Sequence, residues 1–171
     1  MKKLLIITIL LLMTLSVQGQ DVKKIYNTVD FSIQFPLNWK LVTQINPQAV
    51  FVITSPITSD DNKFAENVNL ITQNLKGMDM DLETYINLNK EAIVTIPNAE
   101  IFESKKEKRE GKEYHILIFK GNMDNMDLKV RQLYAIKNEV AYVLTFTVLE
   151  KEFTKHEKIG AEILDSFKLK N

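Results

Sequence analysis

The chain has 171 residues, no cysteine, a single tryptophan, and 22 basic against 22 acidic side chains. That balance exerts no broad electrostatic pull on nucleic acid or anionic lipid, so neither is expected as a partner. Without cysteine there is no disulfide, no thiol nucleophile and no lipid-modified cysteine, and stability has to come from burial.

Residues 1–19 have the layout of a cleavable secretory signal: Lys2 and Lys3, then an apolar stretch over 4–15 interrupted only by Thr8 and Thr14, then Val17 and Gly19 at the peptidase positions before Gln20. The stretch falls short of the ~20 apolar residues that span a bilayer. Cleavage would leave residues 20–171 as one domain of ordinary size, slightly acidic once Lys2 and Lys3 are gone, exported to the periplasm or the medium and not inserted in a membrane. Its oligomeric state stays open.

Along the mature chain, residues 30–36 alternate with Phe31, Ile33 and Phe35 on one side, the period of a half-buried strand that Pro36 ends. A second strand resumes at 38–42 after a tight corner, and 49–54 is a β-branched run suited to a central strand. The polar stretch 55–67 reads as a loop before a strand at 68–74. Asp81 is placed to cap a helix whose face carries Leu82, Tyr85, Ile86, Ile93 and Ile96 and which ends before Pro97. Strands at 100–107 and 114–120 are joined by a tight reversal at Glu110 and Gly111, making a hairpin with a charged, exposed tip. Residues 121–127 read as a polar loop, followed by strands at 128–136 and 140–149 joined by a turn at Lys137, Asn138 and Glu139. Phe153, Ile159, Ile163, Leu164 and Phe167 recur at helical spacing and predict a closing amphipathic helix. The pattern predicts an α+β fold: one antiparallel β-sheet of about six to seven strands flanked by helices.

The run Phe31, Ser32, Ile33, Gln34, Phe35, Pro36, Leu37, Asn38, Trp39, with the element order and the ending Ile163, Leu164, Asp165, Ser166, Phe167, resembles the PsbP-like superfamily, which includes DcrB-type periplasmic proteins and a Ran-binding nuclear transport factor. The resemblance implies an α/β/α sandwich and membership of a group used mainly as accessory or binding modules. No residues here match a photosystem-binding or GTPase-binding motif, so those partners do not transfer.

Residue types for catalysis are few. Only His115 and His156 offer an imidazole, each read as an ordinary strand or helix-surface histidine, and no nucleophile elbow or phosphate-binding glycine loop occurs. Carboxylates cluster at Asp60-Asp61-Asn62, at Asp79 with Asp81, and at Asp124-Asn125-Met126-Asp127, but none has calcium-loop spacing, so no metal or other cofactor is expected. Met78, Met80, Met123 and Met126 near those loops read as gap-filling side chains rather than soft copper ligands. Trp39 reads as a corner or core residue beside Pro36. The expected function is an exported, non-catalytic module that binds a protein partner or assists an envelope assembly, with Lys105, Lys106, Lys108 and Arg109 at the hairpin tip as its contact residues. The alternative is a small-molecule or metal carrier with a pocket between sheet and helix, near Tyr85, Tyr134 and Tyr142. A carboxylate-dependent hydrolase is a third reading, for which no carboxylate pair is defensible.

Overall fold

The computed structural model describes residues 22–43, 49–57 and 64–170. The expected signal at 1–19 and the cluster Asp60-Asp61-Asn62 lie outside the described residues.

Among the described residues, ten strands and two α-helices follow in order: β1 (Lys23–Asn27), β2 (Phe31–Pro36), β3 (Lys40–Thr43), β4 (Ala49–Thr54), β5 (Asn67–Asn74), α1 (Leu82–Ile93), β6 (Glu100–Arg109), β7 (Lys112–Met123), β8 (Met126–Lys137), β9 (Val140–Leu149), α2 (Phe153–Asp165) and β10 (Lys168–Leu169). A seven-stranded antiparallel sheet runs β3-β4-β5-β9-β8-β7-β6, and a small sheet runs β1-β2-β10. The fold is α+β, as predicted, but the opening strand belongs to the small sheet and not to the main one. It recruits β1 and β10, which the sequence pattern does not reveal.

Strand periodicity sorts the main sheet into two buried faces. Tyr114, Ile116 and Ile118 of β7 join the core beneath α2 and the small sheet, while Leu117 and Phe119 join the core beneath α1. Each face thus has its own apolar cover, the layered arrangement expected of the sandwich. Trp39 sits in the α2-side core at the corner after β2, its backbone N–H donating to the Pro36 carbonyl at 3.0 Å.

The long hairpins are closed by turns with positive φ at Glu110 and Gly111, at Asp124 and Asn125, and at Asn138 and Glu139. Two consecutive left-handed residues match the right-handed twist of the flanking strands. The expected loop at 121–127 is therefore replaced by strand up to Met123 and again from Met126, with Met123 and Met126 as direct cross-strand partners. Composition had suggested a loop there, but register inherited from the apolar centres of β7 and β8 carries the ladder through it.

Candidate functional site

β6 is the long edge strand of the main sheet, and its sequence alternates through the charged run. Register sets Lys105 opposite Ile116, Glu107 opposite Tyr114 and Arg109 opposite Lys112, so these residues lie toward α2. Lys106 and Lys108 fall on the α1 side, opposite His115 and Glu113. The four expected contact cations are thus divided between two faces.

Arg109 is drawn back onto the domain. Its Nε donates to Glu107 Oε1 at 2.8 Å and its Nη2 to Asp165 Oδ1 on α2 at 2.8 Å, with the guanidinium 5.5 Å from the Tyr114 ring centre. Only 18% of its side chain is exposed. It clamps β6 to the end of α2 and is not part of an open basic tip. Lys105, Lys106 and Lys108 remain exposed along the edge, and Lys106 Nζ donates to Glu83 of α1 at 2.6 Å.

The clamp has a pH signature. The hydrogen bond from Arg109 holds the Glu107 carboxyl below the ordinary glutamate range, against the opposing effect of burial. A carboxylate with a depressed folded-state pKa stabilises fully above its unfolded pKa of roughly 4.3, and that contribution is lost as pH falls through the folded value. With half-open partners the pair contributes at most about 1 kcal/mol. Urea melts at pH 7 and pH 3 should therefore show a smaller acid-induced loss for Glu107→Gln than for the unmodified chain. Equal losses would mean the clamp does not couple to folding.

Between the first turn of α1 and the β6–β7 pair lies a cavity of about 290 Å³, lined by Asp81, Glu83, Lys106, Lys108, Glu113 and His115 among others. Asp81 caps α1 as expected, its Oδ1 accepting the Thr84 N–H at 2.7 Å, and that bond holds its carboxyl below the usual range. His115 is buried, with Nε2 2.8 Å from Ser104 Oγ and Nδ1 without a hydrogen-bond partner. Burial lowers its pKa, and Lys90 and Lys106 lower it further, so the ring is neutral near pH 7. The Ser104–His115 distance suits a nucleophile–base pair, but no acid orients Nδ1 and the depressed pKa weakens the base. What the arrangement offers chemically is a cleft rimmed by both signs of charge, with the His115 Nδ1 itself shielded from solvent.

The three tyrosines do not line one pocket. Tyr85 and Tyr134 meet edge-on at 6.2 Å inside the α1-side core, whereas Tyr142 packs near Phe167 on the opposite face. Asp127 accepts the Asn122 side-chain N–H at 2.8 Å, and among the described residues no three His, Asp or Glu side chains converge as a metal site.

A different polar cluster escapes the sequence reading. Glu66, inside the stretch read as a polar loop, is 4% exposed, receives the Ser55 hydroxyl at 2.6 Å and faces His156 Nε2 at 3.5 Å. No local pattern marks it, because its burial depends on α2 arriving from the far end of the chain.

No family model matches the sequence, and no curated protein does. Solved structures do match in fold. The cyanobacterial PsbP (CyanoP) of Synechocystis superposes with a TM-score of 0.67 at 14% identity, covering 93% of this chain and 99% of its own. LpqN of Mycobacterium tuberculosis, described as involved in cell envelope biogenesis, gives 0.68 at 12% identity over 88% of this chain and 91% of its own. The Ran-binding protein Mog1p of Saccharomyces cerevisiae gives 0.59 at 10% identity over 86% and 95%. The chain has the PsbP-like fold.

Proposed function

We propose that this PsbP-like chain is an exported, non-catalytic module that docks an acidic surface of an envelope protein through the β6 edge. The observation that carries the proposal is the edge itself: β6 ends the seven-stranded sheet, with Lys105, Lys106 and Lys108 exposed along it and the His115 cleft beside it. The fold is shared with a Ran-binding protein and with one involved in envelope biogenesis, which supports a binding role by analogy of architecture alone. The layout of residues 1–19 supports export.

Edge lysines also discourage two sheets from pairing edge to edge. Docking is separated from that protective role by kinetics. The tagged chain is crosslinked in its native envelope, the captured protein is identified, and association is then timed with both components purified. Lys105→Glu with Lys108→Glu is expected to slow association about tenfold at low salt and much less at high salt, because complementary charge acts mainly on the encounter rate. A rate that charge reversal leaves unchanged would remove β6 as the docking surface.

A further inference from the structure

At the other end of the main sheet, a cavity of about 170 Å³ lies between β4, β5 and the first turns of α2, with Trp39, Ser55, Phe64, Glu66, His156 and Ile159 among its walls. Its floor is built. The Ser55 N–H donates to the Glu66 carbonyl at 2.8 Å, so the same residue that fixes the Glu66 backbone also binds its carboxylate through the hydroxyl. A carboxylate presents about four acceptor positions. Among the described residues, Ser55 fills one on Oε2, and His156 stands 3.5 Å from Oε1, too far for a good hydrogen bond.

A buried carboxylate so sparsely matched calls for a donor with positive charge. The remaining walls narrow the class. Trp39 is among the walls with Glu66, and an indole ring attracts ammonium groups. Among the described lining residues Glu66 and His156 are the only metal-ligating side chains, too few for a divalent ion that takes six or more oxygens. Among the described residues the cation lining this cavity is Lys155, which is 68% exposed and stands 3.8 Å from Glu152, while Lys24 Nζ is held by the Trp39 carbonyl at 3.2 Å. A wider cavity of about 560 Å³ adjoins, sharing Asn38, Trp39 and Ile159 and adding Val22, Lys23, Pro36 and Leu37, with the Lys23 ammonium held by Glu162 at 3.1 Å. Val22 and Leu37 are exposed apolar side chains, giving an apolar tail somewhere to lie.

We propose that this site binds a small aliphatic primary amine, its ammonium group donating to Glu66 and its alkyl chain running past Trp39 toward Leu37. The site is independent of the β6 edge, which lies across the sheet.

The test uses n-pentylamine as probe and the fluorescence of Trp39, the single tryptophan, which lines both cavities. The amine should produce a saturable change within the millimolar range, while n-pentanol and pentanoate at the same concentrations produce none. Glu66→Gln, checked for folding by circular dichroism, should weaken the amine at least about tenfold, the usual loss when a charged hydrogen-bond partner is neutralised. His156→Gln removes the competing imidazole and should leave affinity the same or tighter. No saturable response, an equal response to pentanol, or unchanged affinity in Glu66→Gln would each overturn the proposal. If Glu66→Gln does not fold, the amine-against-pentanol comparison on the unmodified chain decides.

Discussion

Phe146→Ala is expected to destabilise the domain by about 3–5 kcal/mol, the usual loss for a fully buried phenylalanine. Phe146 is 0% exposed on β9, the strand held between β5 and β8 in the main sheet. What singles it out is the helix above it. A Cβ built on Gly160 of α2 would stand 2.3, 2.4 and 2.7 Å from three atoms of the Phe146 ring. Glycine weakens a helix interior by about 1 kcal/mol relative to alanine, so its presence here reflects the close approach of helix and sheet. Gly160→Ala alone should therefore destabilise by about 1–3 kcal/mol, overpacking outweighing the gain in helix propensity. In the Phe146→Ala background the same change should become neutral or stabilising, since the cavity left by the ring accepts the methyl group. A double-mutant cycle measured by urea denaturation reads that coupling directly. Additive effects would mean that the ring and the glycine do not constrain each other.

Much of this architecture is legible in the chain because its cause is local. The alternation of Phe31, Ile33 and Phe35 specifies a strand with one buried face, Asp81 specifies a helix start, and Glu110 with Gly111 specifies a reversal. What stays hidden is set by partners distant in sequence. β1 has only Tyr26 half-buried and no apolar alternation, so it is a strand only because β2 offers it a ladder. β10 is short and likewise pairs only with β2. The stretch around Gly121 looks like a loop, yet its glycine sits in β7 where an added Cβ would come within 2.7 Å of the Ile96 side chain.

The candidate site residues follow the same division. Positive charge along 105–109 is visible in the sequence, but which cations stay in solvent depends on strand phase and on where Asp165 and Glu83 arrive. That is why Arg109 becomes a clamp while Lys105 and Lys108 remain on the edge. Glu66 is the extreme case: an acidic residue in a polar stretch acquires its chemistry only when Ser55, Trp39 and His156 are brought around it.

Phe31→Ala should cost about 3–5 kcal/mol as well, but the pattern of the damage is expected to differ. Phe31 belongs to the small sheet and reaches across to the main one: its ring lies 5.8 Å from Tyr26, 5.9 Å from Phe51 and 5.5 Å from Phe167. It also pairs with Leu169 of β10, and the Lys170 N–H beside that pair donates to the Asp30 carbonyl at 2.8 Å. The small sheet therefore depends on this ring for its docking, while β4, β5, β8 and β9 keep their own ladders and the core beneath α1. Amide hydrogen exchange on Phe31→Ala should show β1 and β10 losing protection before β9, as a separate opening unit. In Phe146→Ala protection should fall in the main sheet and the small sheet together, because the lesion lies under α2, which packs on both β2 and β9. A uniform loss of protection in both variants would make the two sheets one cooperative unit and remove Phe31 as their link. A loss confined to β1 and β10 would locate the weakest contact of the fold at the Phe31 end of β2, where Leu169 pairs with it.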